Sequence, residues 1–342
     1  MILHAIGGFA AGSFYIPFKS VRKWSWESYW LVGGVFSWII APWAVAALIV
    51  PQLRQVLAEA PSNNLLWTYL FGVLWGVGGL TFGLSMRYLG LSLGYALALG
   101  FCAAFGTIVP PVFLGEFAKL ARLISGQITL GGVLVCLAGI AVCGLAGMRK
   151  EREVPAQEKT AAIREFSFTK GLWVATFAGL MSACMAFGFE AGKPIGLLAV
   201  ERGTPPIWQN IPILVVILLG GFTTNCLWCL YLNVKNKSLG DYVGAGDASL
   251  LWNYCFAALA GVTWYLQFFF GMGKTKMGRY DFSSWTIHMA FIIVFSSLWG
   301  IRFREWRGVS RKTMARVWIG IVVLVLSTIV IGVGNWLAPP AP

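Results

Sequence analysis

The chain has 342 residues, of which 58% are hydrophobic and 11% are charged, and its mean hydropathy is +0.74. Soluble domains carry about 25% charged residues, so this composition excludes an ordinary water-soluble protein and predicts an all-α integral membrane protein. The formal net charge of +13 would suggest nucleic-acid binding in a soluble chain, but most of the 26 lysines and arginines lie between apolar stretches, so no nucleic-acid partner is expected.

Ten apolar stretches follow one another along the chain. A hydrocarbon core about 30 Å thick needs about 20 apolar residues per helix. The predicted transmembrane helices cover residues 2–18, 27–50, 65–86, 91–113, 127–147, 170–190, 206–233, 248–271, 282–301 and 315–337. The first stretch lacks a basic leader, so we expect it to be retained as a membrane span.

The longest polar stretch, at residues 148–169, divides these spans into two sets of five. We therefore predict a first five-helix repeat at 1–147, a linker at 148–169 and a second five-helix repeat at 170–342. Because each half has an odd number of helices, duplicated halves would have opposite orientations, as in the inverted repeats of many secondary transporters. Similar strings that begin at Leu74 and Leu259 favour such a duplication.

The basic residues are unevenly distributed between the two sides of the predicted membrane. Most of them lie in the first, third, fifth, seventh and ninth connections, and the central linker is especially basic. The positive-inside rule therefore predicts a cytoplasmic linker and two periplasmic termini.

The seven cysteines all lie in apolar stretches, where a thiol behaves as a small hydrophobic group, so no disulfide framework is implied. Cys226 and Cys229 form a CxxC pair without a second ligand pair, and we interpret them as packing residues. The sequence has no HExxH motif, phosphate-binding glycine loop or GxSxG motif. We accordingly expect no metal, no cofactor and no catalytic residue.

The first connection concentrates tryptophans and basic residues around Glu27. Tryptophans are common at membrane interfaces, so anchoring is the ordinary interpretation of Trp24, Trp26 and Trp30. A ring beside a carboxylate can also stack on the C–H face of a sugar while the carboxylate accepts hydrogen bonds from its hydroxyls. Glu27 is therefore a candidate substrate or proton site, although its position at a helix start is also explained by the helix dipole.

Two later spans carry polar side chains at helical spacing. His288 lies inside the ninth span, one turn after Ser284, and an ionisable group in an apolar span is a candidate functional residue that suits reversible protonation. Asn253, Trp264 and Gln267 lie on one stripe of the eighth span, where they could orient a hydroxylated ligand. Hydrogen bonding between neighbouring helices is the alternative for each polar group.

One acidic residue follows the sixth span directly. Glu190 lies three residues before Lys193, so the two are within reach of one another on a helix. We predict a local ion pair at the membrane interface in preference to a proton relay.

Six strings, in the same order over nearly the whole chain, resemble one known family: FYIPFKSVRKWSWES (14–28), SWIIAPW (37–43), LWGVGGLTFGLSMRYLGLSLG (74–94), GKP (192–194), WYLQFFFGMG (264–273) and YDFSSWTIHMAF (280–291). The chain resembles the L-rhamnose-proton symporter (RhaT) family of the drug/metabolite transporter superfamily. The resemblance implies ten helices in two inverted repeats, a bacterial inner membrane, and import of L-rhamnose or a closely related deoxy sugar with protons by alternating access.

The resemblance also implies site residues, because several polar and aromatic positions fall inside the matching strings. The residues carried over from these strings are Lys19, Trp24, Trp26, Glu27, Arg87, Lys193, Trp264, Gln267 and His288. Of these, Lys19, Trp24, Trp26, Arg87, Trp264 and Gln267 are the expected substrate-binding residues, to which the polar faces of the eighth and ninth spans add Asn253 and Ser284. The expected proton-coupling residues are Glu27 and His288.

Two other functions compete with sugar import. An exporter of amino acids, drugs or other metabolites would share the superfamily architecture. A membrane-embedded enzyme or sensor is the third hypothesis, against which stand the lack of paired intramembrane carboxylates and of an attached signalling domain.

Overall fold

The computed structural model describes residues 1–89, 91–153, 168–244, 249–304 and 306–338, and every regular element in these ranges is helical. The α-helices are α1 Ile2–Ser13, α2 Tyr15–Phe18, α3 Trp26–Gly34, α4 Ala41–Ile49, α5 Leu53–Glu59, α6 Ser62–Leu89, α7 Leu91–Phe113, α8 Phe117–Arg122, α9 Ile124–Glu153, α10 Phe168–Ala191, α11 Lys193–Glu201, α12 Asn210–Asn236, α13 Ser249–Tyr265, α14 Phe269–Lys274, α15 Ser283–Arg302 and α16 Arg311–Trp336.

Within the described ranges, eight helical segments are long and apolar enough to cross a membrane: Trp26–Ile49, Ser62–Ser85, Ile124–Lys150, Thr169–Glu201, Pro206–Asn236, Ser249–Lys274, Ser283–Arg302 and Arg311–Trp336. The predicted first and fourth spans correspond to the shorter apolar helices Ile2–Phe18 and Leu97–Phe113. Helices satisfy their own backbone hydrogen bonds, which is what a lipid environment requires. The chain is therefore a multi-pass helical membrane protein.

The predicted linker at 148–169 is helical at both of its ends. Helix α9 runs on to Glu153 and α10 begins at Phe168, whereas residues 154–167 lie outside the described ranges. The Glu153 carboxylate accepts hydrogen bonds from the Ser310 backbone N–H at 2.7 Å and the Thr313 hydroxyl at 2.8 Å. These bonds join the end of α9 to the start of α16.

Helices α9 and α16 pack against one another in opposite directions along small residues. Gly132 lies beside Ile331, whereas Cys143, about three turns later, lies beside Gly320. A Cβ atom added at Gly320 would come within 2.4 Å of the Cys143 Sγ. Such close approach gives the van der Waals contact that holds helices together in lipid, where no hydrophobic force acts between them.

Helix α6 packs in parallel with α12. A Cβ atom added at Gly72 would lie 2.1 Å from the Ile217 carbonyl oxygen, and one turn later Gly76 meets Gly221. Helix α6 also packs closely against α10. The glycines of α6 thus bring its backbone into direct contact with a neighbouring helix.

Helix α1 lies alongside α15 in the same direction. Gly8 packs against Phe291, and the Trp299 Nε1–H donates a hydrogen bond to the Ser13 hydroxyl at 2.7 Å. Helix α1 also contacts α14 and the end of α13. The first span is therefore packed against the rest of the bundle along one face.

Two spans are interrupted where they approach the centre of the bundle. The span Trp26–Ile49 contains a π-helical turn at Val35–Ile40, and the span Ser249–Lys274 contains a 3-10 turn at Leu266–Phe268. π-turns inside α-helices occur frequently at functional sites because they redirect side chains and free backbone groups. The π-turn packs against α13, so the two interrupted spans are neighbours.

Candidate functional site

Three tryptophans from three spans meet beside the interrupted helices. The ring of Trp38, on the π-turn, lies 5.9 Å from the ring of Trp75 and 6.0 Å from that of Trp264 between centroids, and both contacts are edge-to-face. Trp75 and Trp264 are themselves 5.5 Å apart. We call these three residues the tryptophan wall. Such rings offer broad apolar faces together with an N–H donor.

Two of the predicted polar residues come together next to this wall. Gln267 lies on the 3-10 turn that follows Trp264 and Tyr265, and its Oε1 is 3.4 Å from the Nε2 of His288 on α15. Both side chains are buried. The structure therefore places these two predicted residues in one site.

Aromatic side chains enclose the His288 imidazole. Its ring centroid lies 4.9 Å from that of Phe270 and 6.3 Å from that of Trp285. Trp285 is held in place because its Nε1–H donates a hydrogen bond to the Cys102 carbonyl oxygen at 3.0 Å. His288 is thus fixed in a buried position away from lipid.

The structure adds His4, which the sequence analysis missed. His4 is fully buried on α1 and packs edge-to-face against Phe270 with centroids 6.1 Å apart. Phe270 thus contacts both histidines of the chain. The signal in the sequence was the one applied to His288, an ionisable residue inside an apolar stretch. We call His4, Gln267, Phe270, Ser284 and His288 the histidine centre.

Unpartnered polar atoms are concentrated at this centre. Among the described residues, ten buried side-chain N and O atoms have no hydrogen-bond partner in the protein. Half of them are both ring nitrogens of His4, the Nδ1 of His288, the Nε2 of Gln267 and the Oγ of Ser284. Because a buried polar atom without a partner costs about 1–3 kcal/mol, such a concentration is typical of a binding site. Hydroxyl groups, which both donate and accept, would satisfy these atoms.

Several other predicted residues lie near the start of α3, where they form a second cluster. The Glu27 carboxylate accepts hydrogen bonds from the Ser238 hydroxyl at 2.7 Å and the Asn236 amide at 3.0 Å. Trp24 packs edge-to-face on Tyr254 with centroids 4.9 Å apart. These contacts join the first connection of the chain to the end of α12 and the start of α13.

Asn253 also belongs to this second cluster. Its side chain accepts a hydrogen bond from the backbone N–H of Arg22 at 3.0 Å and donates one to the Arg22 carbonyl oxygen at 2.8 Å. Asn253 and Gln267 are 14 residues apart in sequence, which is about 21 Å along a helix. The predicted stripe therefore reaches two different sites.

The remaining predicted residues have separate surroundings. The Lys19 ammonium lies 4.4 Å from the centre of the Phe303 ring, and the side chain of Arg87 lies outside the part of the chain that the structure describes. Trp26 is 37% exposed and stacks on Trp30 with centroids 5.3 Å apart.

A row of tryptophans connects the second cluster with the wall. Trp30 contacts Trp38 at 6.1 Å, and its Nε1–H donates a hydrogen bond to the Asn225 side chain at 3.0 Å. The rings of Trp26, Trp30 and Trp38 therefore form a continuous aromatic path from the surface to the interior.

Four charged residues meet at the end of α14, whereas the second cluster lies at the start of α13. The predicted pair of Glu190 and Lys193 is confirmed at 2.6 Å, but it is half of a larger group. The Lys274 ammonium donates to Glu190 at 2.7 Å and to Asp281 at 2.6 Å, and Lys193 also lies 3.3 Å from Asp281. We call these residues the four-charge network, and the sequence analysis missed Lys274 and Asp281.

A narrow cleft of about 10 Å³ lies next to the four-charge network. Glu190, Lys274 and Asp281 line one side of it, and Phe270 and Trp285, which contact His288, line another. The cleft thus lies between the four-charge network and Phe270 of the histidine centre. In the described part of the chain, no three His, Cys, Asp or Glu side chains are grouped so that they could hold a metal ion.

Known proteins share this sequence over almost its full length. The family model described as "L-rhamnose-proton symport protein (RhaT)" matches residues 1–337. The chain belongs to this family. A protein named L-rhamnose-proton symporter from Yersinia pestis bv. Antiqua (strain Antiqua) is 37% identical over 337 residues, which cover 98% of this chain and 97% of the relative.

Further relatives agree with this assignment. The proteins of the same name from Yersinia pestis (strain Pestoides F) and Yersinia pseudotuberculosis serotype O:1b (strain IP 31758) are each 38% identical over 338 residues, again covering 98% of this chain and 97% of the relative. The family membership predicted from six short strings is confirmed. It favours transport over the membrane-enzyme hypothesis, because the family is one of symporters.

Proposed function

We propose that this protein imports L-rhamnose, or a closely related deoxy sugar, together with protons across a bacterial inner membrane. The observation that carries the proposal is the match to the symporter family over residues 1–337. The histidine centre supports it independently, since its buried and unpartnered polar atoms lie beside an aromatic wall, as a sugar-binding site requires. The family match also favours import of the sugar over the competing hypothesis of an exporter of amino acids, drugs or other metabolites.

For the architecture, we propose ten spans in two inverted repeats, at 1–147 and 170–342. The opposite directions of α9 and α16 support this arrangement, because each would be the fifth helix of its half. The glycine contacts support it as well: Gly76 meets Gly221 between α6 and α12, and Gly261 meets Gly33 between α13 and α3. These two contacts are equivalent when the halves are exchanged. Transport would then proceed by alternating access around a site between the repeats.

For the sugar, we propose that the aromatic rings and the histidine centre act together. The ring of Trp264 would stack on the apolar C–H face and methyl group, while Gln267, Ser284 and His288 hydrogen-bond the hydroxyls. The unpartnered Gln267 Nε2 and Ser284 Oγ support this assignment. The 3-10 turn that carries Gln267 could change shape as the site opens and closes.

The residues near the start of α3 would contact the sugar on its way between the site and one aqueous face. The continuous path through Trp26, Trp30 and Trp38 supports such a route. We propose that Trp24, Asn253, Lys19 and Arg87 also contact the sugar at this end of the route. By the positive-inside rule this face is cytoplasmic, as is the linker at 148–169, and both termini are periplasmic.

For proton coupling, we propose Glu27 and His288. The Glu27 carboxylate is 4% exposed and is held by the neutral donors Asn236 and Ser238, so a proton could bind there without breaking an ion pair with them. His288 lies within the sugar site itself. Coupling requires that protonation change the affinity for sugar, and proximity makes this effect larger at His288.

Transport in proteoliposomes tests the proposed function. Labelled L-rhamnose should show saturable counterflow, and an imposed inward proton gradient should drive its accumulation, with L-fucose, L-mannose, L-lyxose and D-glucose as competitors that define specificity. Glu27→Gln and His288→Ala should each impair accumulation. No saturable exchange of L-rhamnose by the wild-type protein would refute rhamnose transport, and undiminished accumulation in both variants would refute the proton sites.

A further inference from the structure

His4 has an unusual environment for a buried ionisable residue. It is fully buried, and both of its ring nitrogens lack a hydrogen-bond partner in the protein. The absence of a side chain at Gly273 makes room for it, because a Cβ atom there would lie 2.5 Å from the His4 Cε1. A histidine that served only packing would be expected to pair at least one nitrogen. Both nitrogens of His4 are therefore available to a ligand or a proton.

The two histidines of the chain share this location. Gly7, one turn after His4, lies directly beside His288, since a Cβ atom at Gly7 would be 3.4 Å from the His288 Cε1. Phe270 contacts both imidazoles. Two positive charges so close together in a low-dielectric interior would repel one another strongly, so the pair can hold one proton at a time.

The charged groups around His4 are few. On its own helix, the amino group of Met1 lies about one turn away. From α14, Lys274 follows the contacting Gly273, but its charge is balanced by Glu190 and Asp281. From α15, the facing titratable group is His288. None of these groups provides His4 with an anionic partner that would hold a proton permanently.

We propose that His4 binds the coupling proton and shares it with His288, so that the two imidazoles form a single one-proton site; this inference rests on the proposed symport. The proton comes from water on the side to which the site is open and binds a ring nitrogen, converting neutral imidazole into imidazolium. On His4, where neither ring nitrogen has a hydrogen-bond partner, this cation is costly in the empty site.

Sugar binding lowers the free-energy cost of the imidazolium. Sugar hydroxyl oxygens next to the imidazolium N–H groups accept their hydrogen bonds, so the sugar stabilises the bound proton. By thermodynamic reciprocity, the proton raises the affinity for sugar by the same factor. Departure of the sugar on the other side then returns His4 to its unpartnered state, and the proton leaves to water. The site therefore links proton binding to sugar binding within one cluster of side chains.

His4→Gln tests this inference, because glutamine keeps hydrogen-bonding groups but cannot be protonated. In proteoliposomes, proton-driven accumulation by this variant should fall about tenfold or more, within the usual range of coupling factors, and rhamnose counterflow should lose its dependence on pH. Ser13→Ala, which alters a buried polar residue on the same helix, should leave both activities unchanged. Full accumulation by His4→Gln would overturn the proposal.

A spectroscopic measurement keeps the inference testable if the variant does not fold. The chain has 2 histidines, so ¹⁵N-histidine labelling of the tag-free wild-type protein gives signals from these residues alone, and His288→Gln assigns them. Adding L-rhamnose near pH 6.5 should shift the His4 ring nitrogens toward imidazolium. Unchanged His4 signals in a protein that performs counterflow would overturn this proposal, whereas absence of counterflow in wild type would overturn the proposed function instead.

Discussion

The Nε2 atom of His288 lies 3.4 Å from the Oε1 atom of Gln267, which joins the 3-10 turn of one span to the second turn of α15. This contact is long for a hydrogen bond, so it leaves both groups able to accept a better partner. The unpartnered Gln267 Nε2 and His288 Nδ1 point to the same conclusion. The pair is held in position by packing, because Phe270 and Trp285 contact the imidazole.

Replacing Gln267 by Leu should weaken sugar binding while preserving the fold. The substitution keeps the approximate volume but removes the amide that we propose bonds a sugar hydroxyl, so affinity should fall by about 1–3 kcal/mol. Equilibrium binding of labelled L-rhamnose to purified protein measures this loss. Gln127→Leu, at an exposed position, is the matched control and should bind normally. Equal affinity in both variants would exclude Gln267 from the site.

Two glycines of α6 should differ in their tolerance of alanine. At Gly72 a Cβ atom would be 2.1 Å from the Ile217 carbonyl oxygen, whereas at Gly79 it would have no neighbour within 4 Å. Gly72→Ala should therefore destabilise the protein by about 1–3 kcal/mol through overpacking, and Gly79→Ala should not. Thermal unfolding in detergent provides the comparison. Similar unfolding temperatures would show that α6 and α12 do not approach this closely.

Removing the ammonium of Lys274 should destabilise the bundle. Lys274→Met leaves Glu190 and Asp281 with Lys193 as their remaining cation. The cost should be about 2 kcal/mol, below the roughly 3–5 kcal/mol of a fully buried pair, because part of the network is in contact with water. Thermal unfolding measures the change, with the exposed Lys276→Met as control. A network without structural importance would give the same result for both variants.

The network should also make stability depend on pH through Asp281. Burial alone would raise the pKa of Asp281, but the neighbouring Lys274 and Lys193 ammonium groups lower it below its ordinary value of 3.8. The ionised carboxylate therefore stabilises the folded protein above that value, and this contribution is lost as the pH falls through the lower folded pKa.

Unfolding temperatures of wild type and Asp281→Asn between about pH 2.5 and 6 measure this effect. The wild-type protein should lose stability more steeply than the variant at the acidic end of the range. Parallel curves would show that the ionised Asp281 carboxylate is not stabilised by its lysines.

Much of this organisation could be predicted from the sequence because helix periodicity and the cost of burying polar groups in lipid are local rules. They identify the apolar helices and single out Gln267 and His288 as candidate site residues. His4 obeys the same rule, but the sequence does not show that its short apolar stretch packs against α14 and α15. Helical spacing places Asn253 on the same face of the span as Gln267, but it does not give the depth of each residue in the membrane.

The four-charge network shows a different limit. The Glu190–Lys193 pair was predictable because the two residues are close in sequence, whereas Lys274 and Asp281 reach Glu190 only after two further spans have folded against α10. Such long-range juxtapositions depend on how helices pack. The π-turn at Val35–Ile40 was likewise unpredicted, since its sequence is an ordinary apolar run.

Proton movement on addition of sugar tests the central claim most directly. Wild-type protein in lightly buffered proteoliposomes, with no imposed gradient, should alkalinise the external medium when L-rhamnose is added, and D-glucose should have no effect unless it competes for counterflow. The signal should disappear when a protonophore is present. Saturable rhamnose counterflow without any external pH change would contradict proton symport by this protein.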